Sequence, residues 1–413
     1  MKGIGEMNNM EEWKKIKISD IGRIVTGKTP RTSIKENYGG YIPFLTPSDD
    51  LSNKFAPITN KVLTDKGLME VRNCLLPENS ICVSCIGSDL GKVVMLKKPT
   101  VTNQQFNSII PNENYSPDFV YYLMIIVGKR LNFLSKTSTA VPIINKSTFS
   151  NFEVEVPSCL HNQTQIAKIL SSLDDKIELN NRINANLEEQ AQALFRRWFV
   201  DFEFPNEQGL PYKSNGGKFI DSELGRIPKE WKVGTLSDIA DIIMGQSPSG
   251  ESYNENGEGK VFYQGRTDFG NRFPSRRLFT TEPKRMAEEK SVLLSVRAPV
   301  GDINIAIEKC CIGRGLASIK AKNDFYSFLL YTMLNLKDKL NLFNGEGTVF
   351  GSINKTSLES IHIVKPNLLT VQSFEFLIKD FDRQIKRNYY EIVSLEQLRD
   401  VLLPKLMNNE IKL

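Results

Sequence analysis

Histidine is nearly absent from this chain. Its 413 residues hold two, His161 and His362, far apart and each without an evident partner. Cysteine is also sparse, at six. Cys82 and Cys85 form a C-x-x-C with Cys74 nearby, but the only other close pair, Cys310 and Cys311, lies in a different part of the chain. A zinc site needs four ligands, and no set of four presents itself. The cysteines read as small buried thiols in a reducing cytoplasm. Long apolar runs are missing too. The best candidate, FVYYLMIIVG at 119–128, is about half of the roughly 18 residues a membrane span needs and contains two tyrosines. The polar N-terminus has no signal-peptide pattern. Neither sign of charge dominates: 53 basic against 48 acidic residues give a net charge of +5, compatible with a polyanionic partner but too weak to prove one. The expectation is a cytoplasmic protein with no metal of its own and no membrane contact. It is long enough for two or three separately cored domains.

One short motif invites a nucleotide-binding reading. GRIVTGKT at 22–29 spaces Gly22, Gly27, Lys28 and Thr29 as in a phosphate-cradling loop. The rest of the chain argues against it, because the chain is a tandem repeat. WKKIKISDIGRIVTGKTP, from Trp13, aligns without a gap on WKVGTLSDIADIIMGQSP, from Trp231, at an offset of 218. SCIGSDLGKV (84–93) answers SVRAPVGDI (295–303), NQQFNSII (103–110) answers GRGLASIK (313–320), and INKSTFSNFEVEVP (144–157) answers INKTSLESIHIVKP (353–366). In the second copy Gly22, Lys28 and Thr29 become Ala240, Gln246 and Ser247, so the phosphate-binding lysine is lost. Pro30 also follows where a phosphate loop would open a helix. The expected local structure is a short helical turn capped by Ser19 or Asp20, then a strand, then a glycine turn at Gly27 or Gly245. Trp13 and Trp231 read as core plugs.

After each copy the texture changes. Residues 163–199 contain no Gly or Pro and repeat apolar residues with heptad spacing. Ile166, Leu173, Asn180, Leu187 and Leu194 form one seam position, and Leu170, Ile177, Asn184, Ala191 and Trp198 the other. The segment after Pro366 does the same. Phe374, Phe381, Asn388, Leu395 and Leu402 alternate with Ile378, Ile385, Ile392, Arg399 and Leu406, at an offset of 208. Asn180 and Asn388 therefore occupy equivalent mid-helix positions, a known register device. Two unrelated amphipathic helices could produce such seams separately, but equal length and phase favour pairing through Leu173, Ile177, Asn180 and Leu187 with Phe381, Ile385, Asn388 and Leu395. Each helix would be roughly 54 Å long. An antiparallel pair of that length suits two sites on DNA spaced by about one helical turn. Between the copies, residues 205–230 are rich in Gly, Pro and Asn and poor in aliphatics, and read as a linker.

In this order, and with this duplication, the motifs resemble the specificity (S, HsdS) subunits of Type I restriction–modification systems. The resemblance runs over nearly the whole chain. QIAKILSSLDDKIELNN and EQAQALFRRWFVDFEFP in the first long helix, and GDINIAIEKCCIGRGLASIK in the second copy, carry it together with the W…SDI…GKTP repeat. It implies an α+β fold with two tandem α/β target recognition domains, each followed by a long helix, the helices pairing as an antiparallel coiled coil. The expected boundaries are 1–157 for the first recognition domain, 158–204 for the central helix, 205–230 for the linker, 231–366 for the second recognition domain and 367–413 for the C-terminal helix. It implies that double-stranded DNA with a bipartite, asymmetric target is bound, and that two methyltransferase (M) subunits dock on the helices, with restriction (R) subunits joining through the complex. Such partners would use S-adenosylmethionine, ATP and Mg; this chain would hold no cofactor and perform no catalysis. The sequence has no Asn/Asp-Pro-Pro-aromatic methylation motif, adenosylmethionine loop, helicase set or nuclease cluster. A methylation-only system is the near alternative; a P-loop NTPase and a protein scaffold are the distant ones. The C-terminal helix departs from the pattern, lacking the RRWF ending and placing Arg399 in its seam.

DNA contact calls for Lys, Arg and hydroxyl groups on phosphates and for Arg, Lys, Asn or Gln at base edges. The most basic loop-like stretch is 264–285, with Arg266, Arg272, Arg276, Arg277 and Arg285 among phenylalanines. DNA contact is the favoured reading there, and structural arginines on a solvated strand the alternative. Gln246, Arg297, Arg314, Thr348 and Lys355 join them. In the first copy the matching positions are Lys28, Thr29, Arg31, Lys35, Ser84, Ser88, Lys92, Gln104, Gln105, Ser138, Thr139 and Lys146. Asn145 and Asn354 recur before their lysines and could cap a helix as readily as touch DNA.

Overall fold

A computed structural model describes residues 13–87, 90–135, 143–344 and 351–413; Ser88, Ser138, Thr139 and Thr348 lie outside the described residues. The chain forms two compact units. One comprises the residues up to Asn181 together with Tyr389–Leu413, and the other is Arg182–Asn388. Each unit therefore contains one sequence copy and a half of each long helix.

In the first unit Trp13–Lys17 pairs antiparallel with Glu153–Pro157, the two ends of the copy. A single helical turn, Ile18–Ile21, follows. Asp20 lies within this turn and is not the cap itself; it accepts the Lys17 backbone N–H at 2.9 Å, the return bond of a capping box without its other half, since the Lys17 ammonium at the cap cannot accept. Gly22–Thr26 is then a strand. It borders a four-stranded antiparallel sheet with Phe106–Pro111, Ile81–Ser84 and Val93–Met95. A second sheet orders Lys61–Leu63, Tyr38–Leu45, Thr100–Thr102 and Leu75–Leu76, with Tyr38–Leu45 parallel to Thr100–Thr102. The apolar run identified in the sequence is the helix Pro117–Ser135, whose Phe119, Tyr122, Met124 and Val127 fill the core against the first sheet.

The second unit repeats this plan. Lys232–Thr235 pairs with His362–Lys365, and Asp238 accepts the Thr235 N–H at 3.0 Å as Asp20 does that of Lys17. A four-stranded sheet orders Ala240–Met244, Leu316–Ala321, Val292–Ser295 and Ile303–Ile305. A five-stranded sheet places Lys260–Tyr263 parallel to Cys310–Ile312. The fold is α+β.

The first long helix runs Leu160–Phe195 and ends in a π turn, Arg196–Val200; the second runs Leu368–Met407. All twenty seam positions are buried or half-buried. The pairing is antiparallel. In the first unit the Asn180 amide donates to Glu391 at 3.0 Å and Arg399 bonds Asp174 at 2.9 Å. Arg399 is thus a neutralised seam residue. In the second unit the Asn388 amide donates to Asn184 at 2.8 Å. Asn180 and Asn388 are equivalent in sequence but differ in partner: one takes a carboxylate, the other an amide. The pseudo-symmetric counterpart of Asn184 is Ile392, which has no acceptor to offer, and the neighbouring Glu391 supplies it.

Residues 205–230 are not a loose linker. Phe219–Ser222 and Gly225–Pro228 form a hairpin, and Phe204 stacks between Tyr212 and Trp231, with centroids at 4.6 and 4.8 Å. The few aliphatics suggested a loose segment, but aromatic rings do the packing here. Trp231 is fully buried by them, as expected of a core plug, while Trp13 is half-buried against its core.

Candidate nucleic-acid interface

At one end of each copy the strands and their turns converge on a common frame. The Gly27 N–H donates to Phe106 O at 3.1 Å, and the Gly245 N–H to Leu316 O at 2.9 Å. The next amides, of Lys28 and Gln246, both donate at 3.0 Å, to Thr102 O and Ile312 O. Cys85 N–H reaches Gln105 O at 2.7 Å, as Val296 N–H reaches Gly315 O at 2.9 Å. Isolated bridges Ile86–Ile143 and Arg297–Ser352 close the same edge. Glycine is required at 27 and 245, where a Cβ would stand 2.2 Å from Asn103 O and 2.1 Å from Gly313 O. These amides point into the protein, so the nucleotide cradle suggested by GRIVTGKT does not exist: the N–H groups of Gly27 and Lys28 already have carbonyl partners.

The frame carries exposed polar side chains. Lys28 and Gln104 emerge from it in the first copy, and Gln246, Arg297 and Arg314 in the second. Thr29 donates to Gln104 at 2.6 Å, and Asn103 donates to Gln105 at 2.8 Å. Lys28 and Lys146 both bear on the half-buried Cys74 thiol, which burial pushes up and these two charges pull down. Among the described residues Lys28, Lys35, Lys92, Lys146, Arg297 and Arg314 form no ion pair, so their charge is available to a ligand.

Other expected contact residues have partners within the chain. Arg31 makes a two-pronged bond to Glu70, with 3.1 and 2.9 Å contacts, and this holds the Glu70 carboxyl down to about 2. Ser84 is fully buried and accepts the Lys92 N–H at 2.9 Å, closing a hairpin and not facing solvent. Asn145 and Asn354 are helix caps, accepting from Thr148 and Ser357 at 2.9 and 2.8 Å. Lys146 and Lys355 open those short helices, and Lys355 pairs with Glu359 at 3.5 Å. In the 264–285 stretch Arg266 pairs with Asp302, Arg276 with Glu308 at 2.5 Å and Arg277 with the buried Asp268 at 2.8 Å. All three remain exposed.

Arg272 is the clearest departure. Its side chain is 12% exposed and bonds Glu188 of the first long helix and Asp382 of the second, with Tyr331 Oη at 3.3 Å. Burial disfavours the charged guanidinium, but Asp382, Tyr331 and Glu188 together outweigh this and raise its pKa. A side chain so enclosed clamps the copy to the helix pair and does not meet a phosphate. The first copy has a counterpart. Lys54, 8% exposed, reaches Asp118 at 2.6 Å and Ser171 of the first long helix at 2.8 Å, while Tyr122 donates to Asp174 at 2.6 Å. The offset of 218 aligns Lys54 with Arg272, and 208 aligns Asp174 with Asp382. That correspondence was the available signal, and a search for surface charge passes over it.

Four of the six cysteines are buried as expected, but Cys74 is half-buried and Cys159 is exposed. Cys82, in the strand Ile81–Ser84, and Cys85, just past its end, sit in two different cores. Burial pushes their thiols up to about 12 and about 11. No helix among the described residues is long and apolar enough to cross a membrane.

Comparison with known proteins agrees with this architecture. The Type I restriction modification DNA specificity domain model matches twice, over residues 10–189 and 228–395. The MjaIX specificity subunit of a type I restriction enzyme from Methanocaldococcus jannaschii is 30% identical over 417 residues, covering 97% of this chain and 94% of that protein. The HindI specificity subunit of Haemophilus influenzae is 24% identical, covering 97% of this chain and 100% of the relative. The crystal structure of a Type I system S subunit from M. genitalium shares the fold, with a TM-score of 0.58 at 17% identity over 97% of this chain and 98% of the other. A duplicated copy, a repeated strand-end frame and two family matches that each span one copy and most of the long helix after it lead to one conclusion: the chain belongs to the Type I restriction–modification DNA specificity family.

Proposed function

We propose that this chain directs a Type I complex to a bipartite, asymmetric target in double-stranded DNA, each copy reading one half. The observation that carries this is the frame itself: it occurs once per copy, and in each it displays exposed basic or amide side chains, the cations having no ion-pair partner among the described residues. Such groups suit both phosphate and base edges. The antiparallel helix pair is the spacer between half-sites. Two methyltransferase subunits dock along it, with restriction subunits joining through the assembly. Large apolar side chains left exposed on the second helix, Phe376 at 79% and Leu377 at 46%, beside Trp198, support such docking. Methyl transfer and ATP hydrolysis belong to those partners, with their S-adenosylmethionine, ATP and Mg, and the complex works in the cytoplasm.

The test is an exchange of residues 13–157 for the corresponding segment of another family member, in the complex with its methyltransferase. Lys54, Asp118 and Tyr122 are kept so that the clamp to the helices survives. Sequencing of methylated sites should show one half of the motif replaced and the other retained. Replacement of both halves, or of neither, would refute the modular reading.

A further inference from the structure

The two copies are an internal control for each other. At several positions where a side chain holds the fold both copies keep its chemistry: Asp20 and Asp238 accept the equivalent backbone N–H, Asn145 and Asn354 cap equivalent helices, Ser84 and Ser295 are buried at equivalent hairpins. At three positions on the strand-end frame the backbone is also the same and the side chain is not. Lys28 answers Gln246, Ile86 answers Arg297, and Gln104 answers Arg314. The backbone identity is specific. Residues 28 and 246 donate to equivalent carbonyls at 3.0 Å, and residues 86 and 297 form equivalent bridges to 143 and 352. Residues 104 and 314 lie inside equivalent turns closed by Phe106 N–H to Asn103 O at 3.2 Å and Leu316 N–H to Gly313 O at 2.9 Å.

The substitutions change charge or hydrogen-bonding character at every one of the three. Five of the six side chains are exposed and Ile86 is half-exposed. None of the cations among them forms an ion pair with a described residue. Neighbouring positions of the turn differ as well, Asn103 answering Gly313 and Gln105 answering Gly315, but Asn103 and Gln105 bond each other at 2.8 Å, whereas the three chosen positions turn their side chains to solvent. Their chemistry is that of base-edge readers: arginine or lysine on guanine O6 and N7, glutamine on adenine N6 and N7, and an apolar side chain on the thymine methyl.

We infer that residues 28, 86 and 104 in the first copy, and 246, 297 and 314 in the second, are the specificity-determining positions of the two half-sites. This rests on the proposed reading that each copy recognises one half. It goes further by naming equivalent side chains that differ because the halves differ. Arg314 and Arg297 then favour guanine at the bases they face, and Gln104 and Gln246 favour adenine.

The experiment transplants the second copy's residues into the first. Lys28→Gln, Ile86→Arg and Gln104→Arg are combined in the full chain, assembled with its methyltransferase, and methylated sites are read by single-molecule sequencing. The expected result is a changed base preference of roughly tenfold or more at one or more positions of one half-site, with the other half-site intact. The reciprocal set, Gln246→Lys, Arg297→Ile and Arg314→Gln, should change the other half alone. If a variant assembles and methylates the original motif with its original preferences, the assignment is overturned. If a variant no longer methylates, its complex is tested for binding to a panel of duplexes varied through one half-site: lost or altered discrimination supports the assignment, and wild-type discrimination overturns it. A wild-type complex that methylates no bipartite motif would instead sink the underlying DNA reading, a separate outcome from any variant result.

Discussion

Replacing Arg272 with Met isolates the buried clamp. The guanidinium faces Glu188, whose side chain is 24% exposed, and Asp382, which is 4% exposed and also accepts the Ser327 hydroxyl at 2.6 Å. Met matches the stem in bulk but leaves two carboxylates with no cation in a nearly dry site. Breaking one side of a buried pair typically costs about 3–5 kcal/mol, mainly through the charge left behind. In a domain of this size each kcal/mol moves the melting temperature by about 2–4 °C. The unit Arg182–Asn388 should therefore melt about 6–20 °C lower in calorimetry of the purified protein. Since the cost arises from stranded charge, the triple replacement Arg272→Met, Glu188→Met and Asp382→Leu should recover most of the loss. Lys54→Met in the first unit should cost less, because its partner Asp118 is 45% exposed and water can take over. The salt dependence of DNA binding should not change with Arg272→Met, as no phosphate contact is removed. A single variant that melts within about 1 °C of the parent, or a triple variant no better than the single, would refute the clamp.

Two further predictions concern titration and reactivity. Glu375 accepts the Phe328 N–H at 2.7 Å, and burial raises its carboxyl to about 7. Below about pH 4.5 folded and unfolded chains are both protonated there; as pH rises towards 7 only the unfolded chain ionises, so stability is lost across that window. Glu375→Gln should therefore raise stability by up to about 3 kcal/mol at pH 8 and change little at pH 4.5, and an equal shift at both pH values would contradict this. Among the cysteines, exposed Cys159 should alkylate readily at pH 8, while Cys82 and Cys85 should stay unmodified until the protein unfolds. Mass spectrometry showing early labelling of Cys82 would contradict their burial.

The large-scale plan of this protein was legible because it is written twice. The offset between copies exposed the coincidence in GRIVTGKT, and heptad spacing marked seam residues that are all buried or half-buried. What the sequence hid is pairing over long separations. Arg272 looks like its exposed neighbours Arg276 and Arg277, and only the fold brings Glu188 and Asp382, 84 and 110 residues away, against it. Asn180 and Asn388 marked the same position, but their partners depend on which residue the opposite helix presents, and that differs. The ambiguity at Asn145 and Asn354 was real: a cap and a DNA contact need the same short polar side chain, and the backbone geometry decides for the cap.

The aromatic hairpin between the copies has a practical consequence for anyone dissecting this protein. Composition invites a cut somewhere in 205–230, as though the second copy began cleanly at Trp231. Trp231 is 1% exposed because Phe199, Phe202 and Phe204 lie against it, all on the far side of such a cut. A fragment starting there would present a bare indole and the edge of Phe374 to water, a surface prone to aggregation. A soluble fragment should start before Phe195, upstream of the whole ring cluster. A protease, conversely, should find the Gly- and Pro-rich segment more resistant than its letters suggest, since 219–228 form a hairpin, the Tyr212 and Lys213 N–H groups bond back to Phe204 and Phe202, and its rings are anchored.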